Sequence, residues 1–591
     1  MILPMLLATA GIVLQQIGMG TVGAARAQSG PEPAAGPQPD SAEVAKDLRS
    51  HQRRFEHLRR DHLPWIWPSS GPCDERIGRF CFTFDDDENE QDWSRFEEPP
   101  EVHAARDELI AALWRGTREY PNHWWIVGQL VRYLIEADRP AEAIGAASRC
   151  RVSAPDDWWC DALSGMAHHA AAGYVHAERA FDAALETMPF EDRCDWTDLS
   201  DLLRGDVHGH YDDVPCAERD SVQRRIWWLS DPFLSQPGNE LRTEHFSRWV
   251  MIRLQDDAES VEPTSWGNDM RRITVRYGWP DGWEQIRRGP SHIGPPDVTS
   301  HYGRGAKTFV AHSDVLEQPY AVQPDDWDID PDRPRSEHAV AFAIDGIKPV
   351  RLQTSFFRVG DSIALLANYE VTDDRLTDST QTDAYLVASR NAQVPPLLAH
   401  SSIRGRRGTL ALVMPAELHV VGVEVLARGE RRAGWSRFGF DPLRNEEPMI
   451  ASDLLIVFAT DSLPSTLDAA IAMARPDVPF RPGERVGLYW EVYGAPPEAS
   501  IRIGADLAVG REGKSIFRRI AELTPFASDD PPVHMRWTDI KPAGDDVLQR
   551  AIAVDLPSDL SNGDYRVRVV LDIDGTALAT LERTIRIEDG E

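Results

Sequence analysis

The sequence predicts a multidomain chain, helical first and β-rich afterwards, and three observations carry that prediction. Pro121, Pro155 and Pro189 stand 34 residues apart, a spacing that marks helical repeats. Beyond Ala339 the apolar residues recur with period two between turn residues, as strands do. Between these regions lies a stretch that fits neither pattern, read as a small mixed domain. The expected order is therefore helical repeats, a mixed domain, and two C-terminal β-sandwiches. At 591 residues the chain exceeds what one core can organise, and about three to five domains are expected.

Residues 1–27 read as a signal peptide, with an apolar stretch from Ile2 to Leu14 and Ala25-Arg26-Ala27 as a cleavage signal. The Pro-, Gly- and Ala-rich residues 28–40 follow as a disordered linker. No later stretch approaches the length of a membrane-spanning helix. The chain is thus expected to be exported, periplasmic or extracellular, without membrane insertion once the signal is removed. A net charge of -32 repels phosphate backbones and argues against nucleic acid as a partner.

Residues 41–120 form an N-terminal helical region with a stapled hairpin. Ser41 to Leu63 reads as an amphipathic helix with Ser41 as its cap and Pro64 as its stop. The six cysteines fall into three close pairs: Cys73 with Cys81, Cys150 with Cys160, and Cys194 with Cys216. Six cysteines allow fifteen pairings, and proximity favours this one in an oxidising compartment. No C-x-x-C or H-x-x-x-H spacing supports zinc, so no metal and no cofactor are expected. The acidic run Asp85-Asp86-Asp87-Glu88 reads as a solvated loop.

Residues 121–205 carry the repeats. The 34-residue offset aligns Ala143 with Ala177, Ala147 with Phe181, and Cys150 with Ala184. Small residues there let paired helices approach closely, and each Pro ends a pair. With Gly165, Ala177, Phe181, Ala184 and Pro189 the later copy resembles a tetratricopeptide repeat. Such units either bind peptides on a curved surface or support the neighbouring domain. Trp124, Trp125, Trp158 and Trp159 recur at the same offset, which suits packing between helices.

Helical patterns continue from Trp196 to Leu254. Ile273-Thr274-Val275-Arg276-Tyr277 reads as a short strand, and residues 301–338, rich in Gly, Pro, His and Asp, as a linker. Residues 339–463 and 464–591 are the two sandwiches, with a boundary near Pro464. Strand candidates in the first are Val350–Phe357, Ser362–Val371, Ala384–Ala388, Thr409–Met414 and His419–Ala427. Those in the second are Val486–Tyr493, Ser500–Ile503, Tyr565–Leu571 and Ala577–Ile587. Leu560-x-x-Gly563-x-Tyr565 resembles the tyrosine corner of immunoglobulin-like sandwiches.

Within residues 206–300 one stretch carries a further resemblance. It runs Asp231-Pro232, then Asn239 to Glu244, then Trp266-Gly267-Asn268-Asp269, Arg272-Ile273, and Tyr277-Gly278-Trp279-Pro280-Asp281. This resembles the GWxTD domain of secreted bacterial proteins, a domain without an established activity. Ser265 stands where the motif has Gly, and Asn268 where it has Thr. The resemblance implies a layout of tetratricopeptide-like repeats before the domain and β-sandwiches after it. Arg481 to Gly494 looks like the tail of the same group.

Trp266, Asp269, Arg272, Tyr277 and Asp281 are the candidate site residues. The foremost reading is a buried polar knot, with Asp269 accepting from Arg271 or Arg272 and from backbone amides. Gly278 then supplies a special backbone angle and Pro280 a rigid turn. The alternative is a shallow pocket in which Trp266 stacks a sugar or a peptide side chain and Asp269 hydrogen-bonds it. The chain has no G-x-S-x-G elbow, phosphate loop, H-E-x-x-H or dinucleotide fingerprint. Glu244-His245 offers an acid/base pair toward Asp269, and Asp326, Asp328, Asp330 and Glu337 have calcium-like spacing without the glycine turn. The sequence therefore reads as an exported, non-enzymatic scaffold or protein-interaction protein of the bacterial cell envelope, with protein partners on its repeats. A carbohydrate- or cell-wall-binding protein, with aromatics on its sandwiches, is the alternative. A hydrolase with a site near Trp266–Asp281 is the third reading.

Overall fold

The computed structural model describes residues 40–588 except 68–72, 74, 83–96, 204, 288–296, 303–306, 309–310, 312, 328–337, 340–345, 443–450, 461, 477–478, 495–499, 510–532, 541–545 and 574–575. The expected signal peptide and most of the linker after it, the acidic run Asp85–Glu88, and Asp328, Asp330 and Glu337 lie outside the described residues.

The chain opens with α1 (Ser41–Asp61), capped by Asp40, whose carboxylate accepts from the Ala42 amide, and not by Ser41. Next come β1 (Trp65–Ile66) and a hairpin of β2 (Glu75–Ile77) and β3 (Phe80–Phe82). Then α2 (Pro100–Glu119) leads into two helix pairs, α3 (Trp124–Glu136) with α4 (Pro140–Ser153), and α5 (Trp158–Ala170) with α6 (Tyr174–Thr187). These pairs start 34 residues apart, and the turn inside each holds a left-handed residue at the same place, Asp138 and Ala172. Gly165 lets α6 close in, because a Cβ there would sit 2.7 Å from the Phe181 ring. Ala143, Ala147, Cys150, Ala177 and Ala184 are all buried at the helix contacts.

After α7 (Phe190–Trp196), α8 (Gly205–Asp212) and α9 (Asp220–Ser230), α10 (Glu240–Gln255) lies along the repeats. Gly128 on α3 admits Leu254, and Gln129 Nε2 donates to Leu254 O at 3.1 Å. Trp125 Nε1 donates to Asp257 O at 2.7 Å. Repeats and α10 thus share one core, together with α1 and α2.

Residues 268–277 are helical, as α11 (Asn268–Tyr277), where a strand was expected over Ile273–Tyr277. The β-branched run suggested extension, but Met270, Ile273, Thr274 and Tyr277 follow helical spacing and form the buried face. Behind it, β4 (Gly282–Ile286) pairs parallel with β1 and antiparallel with β5 (Asp297–His301). The stretch expected as a linker, 301–338, is packed in its described parts. It contains β6 (Lys307–Thr308), α12 (Ser313–Glu317) and the start of β7 (His338–Ala339), and buries Ala311, Val315, Val322 and Trp327 in the main core.

The middle body is one seven-stranded sheet: β8 (Gly346–Val359), β9 (Ser362–Val371), β10 (Gln381–Ser389), β11 (Leu397–Arg404), β12 (Arg407–Pro415), β13 (His419–Ala427) and β14 (Arg432–Phe440). The order β11-β10-β13-β14-β8-β9-β12 curls round its own apolar core. β11 and β12 leave Leu397, Leu398 and Val413 exposed, and two other parts of the outer surface are covered. On one, Val387, Val420, Leu426, Ala433 and Trp435 join the core of the helical body. There Glu424 and Arg437, both fully buried, pair at 3.1 Å. Glu424 also accepts from the Leu234 and Ser235 amides at 2.9 Å each. Arg437 donates to Leu229 O and Pro232 O. Gly439 is obligatory, because the backbone of Tyr320 crosses so close that a Cβ would overlap it.

On the other of these parts, Phe357 and Leu366 pack on the last body. That body contains β15 (Leu455–Phe458), α13 (Leu467–Ala472), β16 (Arg485–Tyr493), β17 (Ser500–Val509), β18 (Val533–Ile540), β19 (Val547–Asp555), β20 (Gly563–Ile573) and β21 (Thr576–Ile587). Sheets β15-β16-β19 and β18-β17-β20-β21 face one another over a shared core. The boundary expected near Pro464 falls earlier, since β15 pairs with β16. Gln353 of β8 reads the β15 backbone, accepting from Ile456 N at 2.7 Å and donating to Ile456 O and Arg475 O. Tyr565 Oη donates to Ser561 O at 2.8 Å, the bond expected of a tyrosine corner.

Removing one member of a buried ion pair strands the other in a low-dielectric site. Glu424→Ala should lower the free energy of unfolding by about 3–5 kcal/mol, measured by guanidinium denaturation followed through tryptophan fluorescence. An unchanged midpoint would mean that the helical body and the sheet are not held together here.

Candidate functional site

The structure gathers the five candidate residues on and around α11: Tyr277 is buried, Trp266 and Asp269 are half-buried, and Arg272 and Asp281 are exposed. Asp269, in the first turn, is grasped by Arg79 from the hairpin turn. Arg79 Nε donates to Oδ2 at 2.5 Å and Nη2 to Oδ1 at 2.7 Å. The Arg79 and Met270 amides add further bonds. The partner is thus Arg79, not Arg271 or Arg272. The side-chain bonds from Arg79 and those amides hold the Asp269 carboxyl far below the usual carboxylate range. Gly78 makes this approach possible: its φ is +54°, and a Cβ would sit 2.4 Å from that of Asp269. The Cys73–Cys81 disulfide closes the hairpin that presents Arg79.

The other candidates serve the same fold. Tyr277 is buried and stacks on Phe82 of the hairpin at 4.7 Å between centroids. Arg272 Nε pairs with Asp201 at 2.8 Å. The Asp281 amide donates to His301 O, which starts the β4–β5 ladder. Trp266 is half-buried, with its ring packed against the main core. Gly278, at φ +82°, lies over the Arg248 guanidinium, which caps α11 by donating to Val275 O and Arg276 O at 2.9 Å each.

Arg248 leads to a second cluster that the sequence did not single out. Its Nε pairs with Glu244 at 2.7 Å, Glu244 meets His169 Nε2 at 2.7 Å, and His169 Nδ1 meets Thr243 Oγ1 at 2.9 Å. Hydroxyl, imidazole and carboxylate are the parts of a nucleophilic triad. Here Thr243 is fully buried and its hydroxyl also lies against the carbonyls of Asn239 and Glu240, out of reach of any substrate. The arrangement clamps α5 to α10 with its hydroxyl buried. His245 faces Trp196 O instead of Asp269, and burial lowers its pKa to about 4, so it is neutral. On the sheet, Asp383, His400 and Ser402 also meet, but His400 Nε2 faces both partners, 3.3 Å from Asp383 and 3.4 Å from Ser402. One nitrogen cannot serve both roles of a triad base. Among the described residues no group of three His, Cys, Asp or Glu side chains is placed to hold a metal ion.

The strongest electrostatic strain lies at the junction of helices and sheet. Burial, beside Glu424 and despite Arg437, pushes Asp231 up to about 8. Burial and Asp231 itself push Glu240 up to about 8, although Tyr174 and Arg428 oppose the shift. These two half-buried acids hold protons near neutrality that they release on unfolding.

No family model matches the chain, and no curated protein matches it. Among solved structures it is similar to a cryo-EM reconstruction of the native conformation of E. coli alpha-2-macroglobulin. Identity is 12%, with a TM-score of 0.13, over 41% of this chain and 17% of that one. At that score the overlap carries no argument about fold or function.

Two predictions follow from the site's geometry. Gly78→Ala should break the Arg79–Asp269 clasp and raise hydrogen exchange in residues 75–82 by roughly tenfold or more, through local opening. Unchanged exchange would show that the hairpin docks without it. For the acids at the junction the sign is fixed by their raised values: the unfolded chain binds fewer protons, so stability falls as pH rises toward 8 and levels off above it. The Tm should fall between pH 6 and pH 8, and Asp231→Asn should remove about half of that slope.

Proposed function

We propose that this chain is an exported scaffold protein of the bacterial cell envelope, a divergent GWxTD-type protein with tetratricopeptide-like repeats, acting through contacts and not through catalysis. One observation carries the reading. Three groups of the stretch that resembles GWxTD are engaged within the chain: Asp269 on Arg79, Arg272 on Asp201, and the Gly278 turn on Arg248. A motif used in this way organises a body and offers no reacting groups. Three disulfides fit an oxidising compartment. Among the described residues no helix is long and apolar enough to cross a membrane.

The inner side of the repeats is filled by α10, so a protein partner of the repeats would take their outer side, along α4 and α6. Val152, 86% exposed at the end of α4, is the apolar residue best placed for such a contact. Crosslinking pull-down from an envelope extract of the native host should capture discrete protein partners with the N-terminal half of the contacts. Val152→Asp should weaken capture by roughly tenfold, the weight of one well-placed interface side chain. Retention of polysaccharide alone would replace the scaffold reading by glycan binding.

A further inference from the structure

Among the described residues, Trp65 and Trp67 are the exposed tryptophans, at 49% and 75%, and they do not lie on the C-terminal sheets. Trp65 lies in β1 and Trp67 directly follows it, on one face of the ladder with β4. Trp65 pairs with Gln285, and Arg287 N donates to Ile66 O, which continues the ladder. Strand alternation therefore puts Trp65, Trp67, Trp283, Gln285 and Arg287 on the same face. That face carries the same pairing twice, at its two ends.

At the buried end, Arg59 stacks over Trp283 at 4.5 Å. Its charge is answered by Glu98 at 2.7 Å and Glu136 at 3.0 Å. At the open end, Arg287 stacks over Trp67 at 5.6 Å. Among the described residues it has no carboxylate partner, in a chain with a net charge of -32. An unanswered guanidinium on an exposed indole is a preorganised half-site for a planar anion.

We infer that Trp65, Trp67 and Arg287 form a binding site for a carboxylated glycan. The indole faces take the C–H faces of sugar rings, and Arg287 takes a ring carboxylate in the place that Glu98 and Glu136 hold for Arg59. The two indoles stand roughly 7 Å apart along the strand, which suits successive rings of a chain better than one isolated side chain. A lipid surface is recognised by clusters of roughly four to eight basic residues, whereas this site has one.

The test is calorimetric titration of the intact, disulfide-bonded chain with two probes, polygalacturonate oligomers and soluble muramic acid-containing peptidoglycan fragments, together with their carboxyl-esterified forms. At least one acidic probe should bind saturably, and its ester should bind roughly tenfold more weakly or worse. Trp67→Ala and Arg287→Ala should each weaken binding by a similar factor. Both side chains are at the surface, so the melting temperature of each variant should stay that of the wild type. The proposal is overturned if neither probe binds, or if binding survives both substitutions. Association with phosphatidylglycerol vesicles that needs Trp67, without saccharide binding, would overturn it in favour of a lipid surface.

Discussion

Arg437 is a cation with no exposure to water, and the rest of the architecture is arranged around that fact. Burial lowers its pKa, and the Glu424 carboxylate opposes that shift. Glu424 needs more than Arg437 to offset its own desolvation, and it finds this in the amides of Leu234 and Ser235, on the segment after α9. The guanidinium in turn takes the carbonyls of Leu229 and Pro232 from the same segment. Each body thus completes the hydrogen bonding of the other, and neither could leave without exposing unpaired buried groups. The tie is specific in register as well as strong in consequence, because it is made to main-chain atoms at fixed positions.

The same device recurs at a smaller scale. Gln353 reads the main chain of β15, Arg248 that of α11, and Arg79 closes on Asp269 through both side chain and amide. In each case a long polar side chain from one element satisfies the orphaned backbone or carboxylate of another. Glycine marks where the approach is closest: Gly78 under Asp269, Gly278 over Arg248, and Gly439 beneath Tyr320.

How much of this was legible in the sequence follows from the same distinction. The cysteine pairs, the 34-residue helical spacing and most strands were readable because their causes are local: proximity in the chain, periodicity, and turn residues. Five of the seven strands of the middle body were read from alternation; β11, largely exposed, was not, nor was β14, whose Arg437 and Trp435 sit where alternation expects a solvent face. The helix over Asn268–Tyr277 was misread because a β-branched run was weighed above its helical spacing. The partner of Asp269 was out of reach, for Arg79 lies 190 residues earlier. His169 with Glu244, and Asp231 with Glu240, were missed for the same reason: nothing in the sequence foretells which carboxylates a tertiary junction will bury.

Rigid docking also decides where a ligand can be met. With α10 laid along the inner side of the repeats, and two parts of the middle sheet's outer surface covered, much of what such modules ordinarily offer is already used inside the chain. Among what remains are the outer side of the helices, the open face of β11 and β12, and the rim of the small sheet that β1 begins. There the face that buries Arg59 on Trp283 runs out into solvent with Arg287 on Trp67. An exposed tryptophan is costly in hydration and gains nothing for the core. Among the described residues its neighbour Arg287 has no carboxylate partner, whereas the buried Arg59, Arg132 and Arg437 are matched with carboxylates. Packing requirements account for the first end of that face and leave the second unexplained, and an anion brought from outside completes it.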